Sequence, residues 1–186
     1  MLQTGDDRDL MLRYRDGDAG AFETLYSRHK GALYRYLLRQ CNHAANAEEI
    51  FQEVWIRVIR SRERYEARAK FTTWLFQIAR NCFIDHVRKQ GRSAVDLSAA
   101  AEPDELHAAT GNPESATALS QAGARLAAAI AQLPGEQREA FLLRTEGDFD
   151  LAEIAEITGV GRETVKSRLR YAMRKLRNAL EEPGHE

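Results

Sequence analysis

Apolar residues recur every three or four positions along most of this chain, and β-branched residues nowhere alternate with polar ones. The pattern predicts an all-α protein. A short helix is expected over Asp9–Arg15. After Asp18, a suitable N-cap, a longer helix carries Phe22, Leu25, Tyr26, His29, Leu33, Tyr36 and Leu37. A third covers Ala45 to about Arg62, with Ile50, Val54, Ile56 and Val58 among its apolar residues. A fourth covers Thr72 to Gln90 and turns Trp74, Leu75, Ile78 and Cys82 inward. Helical spacing resumes from Glu114 to Gln132, breaks at Leu133-Pro134-Gly135, and returns over Glu136–Arg144.

The last third predicts a helix-turn-helix. Asp150 followed by Glu153 has the spacing of a capping box that opens the first of its helices. Ala155 is small where two helices must cross. Gly159 sits in the turn, where a positive φ costs glycine nothing. The second helix places Val165, Leu169, Ala172, Met173, Leu176 and Leu180 on one arc. Lys166, Arg170, Arg174 and Arg177 fall on another, beside Glu163 and Ser167. Arg162 to Arg177 holds seven Lys or Arg and one acid. One side of such a helix docks on protein and the other faces phosphates and base edges. An amphipathic surface helix with merely solvated charges lacks the small residue and the turn glycine at these spacings.

Gly91 to Pro113 breaks the helical pattern with Ala, Ser, Asp, Glu, Pro and Gly. It divides the chain into a helical domain over 1–91, an acidic flexible linker over 92–113 and a second helical domain over 114–186. Each is small, so each core contributes modest stability, and the C-terminal one is expected to be the weaker. The tail Glu181–Glu186 is expected to fray.

The net charge of −1, from 27 basic and 28 acidic residues, conceals strong segregation. Arg57 to Arg92 holds ten bases and three acids, whereas Ser93 to Leu119 holds five acids and no Lys or Arg. A protein that holds DNA unaided is usually basic overall. This one is built to touch DNA at two places and to need help in holding it. No apolar run approaches the roughly 18 residues of a membrane span, and the first residues lack the pattern of a signal peptide. Cys41 and Cys82 are too few for a disulfide scaffold. A reduced, cytoplasmic protein without membrane insertion is expected.

Two further segments carry charge in a pattern. Within Asn46–Ile56, Glu49, Gln52 and Glu53 share one helical face. Taken alone, that face reads either as solvated or as an acidic docking surface for a basic partner. The polar, basic loop Arg62–Lys70 precedes the Phe71–Lys89 helix, on which Arg80, Asn81, Arg88 and Lys89 can meet phosphates or bases. The loop can receive an unstacked base; the same helix also reads as a core helix with ordinary surface charges. Enzyme readings find no support. Cys82 and His86 stand at i, i+4 without a second ligand pair. There is no phosphate-binding glycine loop and no nucleophile elbow, and no cofactor is implied.

The order of these parts resembles the small extracytoplasmic-function (group 4, sigma-70 family) sigma factors of bacterial RNA polymerase, over roughly residues 10–180. The likeness rests on Glu48-Glu49-Ile50-Phe51-Gln52-Glu53, then Thr73-Trp74-Leu75 with Ile78-Ala79-Arg80-Asn81 and Ile84-Asp85, then the acidic linker, Leu133-Pro134 with Arg138 and Phe141, and Thr164-Val165-Lys166-Ser167-Arg168-Leu169. The resemblance implies that Glu49, Gln52 and Glu53 dock on the β′ clamp helices of the polymerase core. It implies that the Arg64–Thr73 loop and the following helix capture the −10 element, with Arg68, Lys70, Arg80, Asn81, Asp85, Arg88 and Lys89 at that site and a flipped base beside Asn81. It implies that the −35 element meets Arg162, Glu163 and Ser167 at base edges and Lys166, Arg170 and Arg174 at phosphates, with Thr164 at the same site. Leu133–Leu143 would help form the surface gripped by the β-flap tip, the linker would follow the RNA path, and an anti-sigma factor is an expected partner. The chain departs from the family where Asn46 and Glu49 replace aspartates and where Asp85 stands in place of the asparagine of some relatives. A stand-alone helix-turn-helix regulator would need neither the acidic helix nor the basic loop, and a purely protein-binding helical adaptor would not need the Arg162–Arg177 face.

Overall fold

The computed structural model describes residues 5–41, 43–67, 69–91 and 113–181, with the backbone alone for 113–120. The expected linker, apart from Pro113, lies outside the described residues, as do Arg68 and the tail beyond Glu181. The described elements are α1 (Asp7–Arg15), α2 (Ala19–Cys41), α3 (Ala44–Ser61), a 3-10 turn (Arg62–Arg64), α4 (Phe71–Lys89), α5 (Pro113–Ala131), α6 (Gly135–Glu146), α7 (Leu151–Thr158) and α8 (Arg162–Glu181). No strand occurs among the described residues. Every expected helix is present, with ends shifted by up to two residues.

In the first half, Asp18 caps α2 by accepting from the Ala21 amide at 3.2 Å and pairs with Arg13. Leu25, Leu33, Tyr36 and Leu37 of α2 are buried with Ile50, Val54 and Val58 of α3 and Leu75, Phe76, Ala79 and Cys82 of α4. Phe22, Tyr26, Phe51 and Trp55 form an aromatic cluster between α2 and α3, with centroids 4.9–6.3 Å apart and rings inclined to one another. Such inclined contacts suit the ring quadrupoles. Ile56 does not join this core. It is 40% exposed, and Ile59 is 43% exposed, so α3 carries an apolar outer edge.

In the second half, α6 packs on α8 and α7 crosses both. Val165, Ala172 and Leu176 are buried, with Leu169 packed against them. Met173 (50% exposed) and Leu180 (40%) are not, contrary to the single-arc reading. Seven residues apart, they share one side of the helix at the edge of the apolar stripe.

The two halves do not stand apart. α6 packs along α2 and α7 along α4. Phe76 of α4 meets Phe149 edge to face at 5.0 Å, and both rings are buried. Arg138, 2% exposed, donates to the carbonyls of Ala131 (2.7 Å) and Leu133 (3.1 Å) just past α5, and at 3.4 Å to the Gln40 carbonyl of α2. A guanidinium at a helix C-terminus is favoured by the helix dipole. Here it also ties α5, α6 and α2 together. Each fully buried aromatic at the junction contributes roughly 1.5–3 kcal/mol, so the C-terminal half draws on a core larger than its own.

The two thiols are buried and unpaired. Burial pushes Cys41 up to about 12 and Cys82 up to about 11.

Candidate nucleic-acid interface

The helix-turn-helix is held by local chemistry at its entry. Asp150 Oδ1 accepts from the amides of Ala152 (2.7 Å) and Glu153 (2.9 Å), while Glu153 accepts from the Asp150 amide at 2.9 Å, completing the capping box. Those backbone hydrogen bonds hold the Asp150 carboxyl below its usual range. α7 ends at Gly159, in the left-handed region at φ 71°, whose amide donates to the Ala155 carbonyl at 2.9 Å. The chain turns there and α8 starts at Arg162. Arg162, Glu163, Thr164, Lys166, Arg170 and Arg174 are all exposed and Ser167 is half-buried. Arg170 and Arg174 both lie over the Tyr171 ring, 5.1 and 5.0 Å from its centre. Cation–π contact steadies these long side chains on the outer face. Arg168 belongs to the other side, where it pairs with Glu136 at 2.7 Å.

In the first half, the basic loop folds over the start of α1. A hollow of about 340 Å³ lies between Asp6, Asp7 and Arg8 on one wall and Ala67, Ala69, Lys70, Phe71 and Thr72 on the other. Asp7 is pinned there by His29 (2.7 Å) and Arg28 (2.8 Å), and its carboxyl is held below its usual range, first by the His29 hydrogen bond. Phe71 is buried against His29, so it shapes the wall rather than offering a free ring. Periodicity gave no sign that α1 would line this hollow, because the approach is tertiary. Along α4, Asn81, Arg88 and Lys89 are exposed. Asp85 is engaged by Arg57 of α3 at 3.0 Å, which also donates to Glu53 at 2.8 Å. Asp85 therefore faces α3 and is tied through Arg57 to Glu53.

On α3, Glu49 and Gln52 are exposed and Glu53 is half-buried, so the three share an accessible face as their spacing predicted. Ile56 and Ile59 continue that face. An acidic patch with an apolar edge can both attract a basic partner and exclude water beside it.

Two of the cations expected at the −10 site have partners in the second half of the chain. Arg80 donates to Glu139 of α6 at 2.9 Å, and Lys70 pairs with Glu153 of α7 at 2.7 Å. Arg35 and Arg39 of α2 both bind Glu146, at 2.7 and 2.6 Å. Burial raises the Glu139 carboxyl above its usual range, with Arg80 pulling the other way. These partners are 59 to 111 residues apart, so no local pattern announced them. Leu133, Ala140, Leu142 and Leu143 are buried, so of that expected flap surface Glu136 is exposed and Pro134, Gly135, Gln137 and Phe141 are half-buried, with Phe141 packed against the core.

Two family profiles match in order: Sigma-70 region 2 over residues 25–93 and Sigma-70 region 4 over residues 123–176. RNA polymerase sigma factor CarQ of Myxococcus xanthus is 34% identical over 172 residues, covering 92% of this chain and 96% of its own. The extracytoplasmic-function sigma factor SigL of Mycobacterium tuberculosis is 36% identical over 172 residues, covering 90% and 93%. Among solved structures, sigma factor RpoE of Bartonella quintana, in complex with the anti-sigma factor NepR, superposes with a TM-score of 0.70 at 25% identity, covering 88% of this chain and 98% of that one. CnrH, in complex with the cytosolic domain of CnrY, shares the fold with a TM-score of 0.71 at 21% identity, covering 96% and 99%. A helical region 2 followed by a helix-turn-helix region 4 is the architecture of a sigma-70 family promoter-recognition factor. This chain belongs to the extracytoplasmic-function sigma factors of RNA polymerase.

Proposed function

We propose that the chain selects promoters for RNA polymerase core through a fixed division of labour among its faces. The α3 face of Glu49, Gln52 and Glu53, with Ile56 and Ile59 beside it, docks on a basic coiled helix pair of the core, the β′ clamp. The hollow between α1 and the Arg62–Lys70 loop takes an unstacked base of the −10 element, with Asn81, Arg88, Lys89 and Arg68 along the strand and Lys70 and Arg80 joining them. Arg162, Glu163, Thr164 and Ser167 read −35 base edges, while Lys166, Arg170 and Arg174 hold phosphates. Units over 1–91 and 114–186 act as the two readers, joined by the acidic segment 92–113. The exposed edge of region 4 meets the β-flap tip. An anti-sigma factor is the regulatory partner, as in the complex of the related RpoE with NepR. The chain performs no catalysis, and its place of action is the cytoplasm; no described helix is long and apolar enough to cross a membrane.

The observation that carries this reading is the α8 face. A capped first helix and a left-handed glycine deliver an exposed row of cations whose opposite side is locked into the core. Each good base contact contributes roughly 1–3 kcal/mol of discrimination, which is too little for either reader alone. Holding both on one core raises the effective concentration for the second contact and offsets the few kcal/mol of unstacking one base. Run-off transcription with purified core on a promoter library tests it. Transcripts starting at a shared two-part motif are expected, and core association without initiation at any site would overturn it.

A further inference from the structure

Region 4 covers region 2 with a row of carboxylates, each set against a cation. Glu139, Glu146 and Glu153 hold Arg80, the pair Arg35 and Arg39, and Lys70, with oxygen-to-nitrogen distances of 2.6–2.9 Å. Glu139 and Glu146 keep only 9% and 8% of their side chains exposed. They stand seven residues apart, two turns of α6, so they share one face. Anionic oxygens at this spacing and distance make the contacts that phosphate oxygens make with Arg and Lys. By contrast, the α8 face remains open.

We propose that Arg35 and Arg39, with Arg80 and Lys70, form a cationic track that takes the sugar-phosphate backbone of a single DNA strand, and that region 4 occupies this track until the regions part. The inference rests on the −10 reading of region 2 and adds two residues of α2 to it. The closed chain is then half armed: its −35 helix is free, while its strand-binding cations are neutralised from within. Two bonds to one carboxylate make Glu146 the sensitive point of the closure. Opposing charges there are only partly buried on the arginine side, at 56% and 31% exposed, so salt and a competing polyanion can both reach them.

The test uses the full chain without polymerase. Glu146→Arg sets three guanidiniums together and should part the regions. A triple charge swap, Glu146→Arg with Arg35→Glu and Arg39→Glu, should bring them back. Glu23→Arg, on exposed surface of α2, controls for the added charge. Small-angle scattering reads the separation, and fluorescence anisotropy reads binding of a labelled mixed-sequence single strand in low salt. Binding to a −35 duplex reports an intact region 4. Glu146→Arg should extend the chain and bind the strand at least ~10-fold tighter than wild type and than Glu23→Arg. Adding Arg35→Gln and Arg39→Gln to the open variant should flatten its salt dependence by roughly one to two phosphate contacts. The proposal fails if wild type is already extended, if Glu146→Arg stays compact, if the open variant binds the strand no better, or if losing Arg35 and Arg39 leaves the salt slope unchanged. Loss of promoter-directed transcription is a separate readout: its absence in wild type would sink the sigma-factor mechanism without altering these binding comparisons.

Discussion

Replacing Arg80 with methionine isolates the energetics of the junction. Arg80 keeps 25% of its side chain exposed and Glu139 keeps 9%, so the pair is mostly withdrawn from water. Removing one partner of a buried pair typically costs about 3–5 kcal/mol, because the other charge stays buried without compensation. Partial access of Arg80 to solvent places the expected loss near the lower end, about 3 kcal/mol. Glu139→Gln should cost less, since an amide oxygen still accepts from Arg80 and no carboxylate is buried. The pH dependence has a defined sign. Glu139 titrates above its ordinary value of 4.5 in the folded chain, chiefly through burial. The folded state therefore binds more protons than the unfolded state above 4.5, and this group's contribution falls as pH rises through that window. In Arg80→Met the stronger of its two restraining cations is gone and Arg168 alone remains, so the carboxyl titrates higher still, and acidification from pH 8 toward 5 should narrow the deficit relative to wild type. Urea unfolding followed by circular dichroism at several pH values measures this. A loss under about 1 kcal/mol, or a deficit that does not change with pH, would refute the account of a costly buried carboxylate held by Arg80.

Other expectations are direct. Gly159→Ala forces a side chain into the left-handed turn at φ 71° and should destabilise region 4 by roughly 1 kcal/mol, read as a lowered Tm. Gly147→Ala places a Cβ 2.2–2.4 Å from the Phe149 ring, which is itself wedged against Phe76, so it should loosen both region 4 and the junction; unchanged thermal stability would contradict that packing. Glu49→Lys with Glu53→Lys should abolish co-elution with core polymerase on gel filtration. Arg162→Ala should relax −35 sequence preference, whereas Lys166→Ala should weaken binding to all sequences alike and lower the salt slope by about one; transcription from variant promoters distinguishes the two.

Helices and caps were legible because their causes are local. Asp18, the Asp150–Glu153 box and Gly159 act within four residues of where they stand, and each does what its spacing implies. The exposure of the α8 cations followed from the same periodicity. Met173, Leu180 and Ile56 did not, since an apolar residue at the edge of a stripe is buried only if a neighbour reaches it. The partners of Arg80, Lys70 and Asp85 were out of view for a related reason. Spacing shows which side of a helix a charge is on, but not which helix will face it. Asn81, Arg88 and Lys89 remain open on α4, so the exposed side proposed to meet the DNA strand is legible in part.

The two thiols bear on how such a protein can receive a signal. With Cys41 pushed up to about 12 and Cys82 up to about 11 by burial, both stay thiols at neutral pH, and both are sealed by the core. Neither thiol offers peroxide or an electrophile an accessible thiolate, so a thiol-borne signal would have to reach this chain through another molecule. The same inertness makes the natural protein ready for labelling: a reporter dye attached at one introduced surface cysteine will find no competitor.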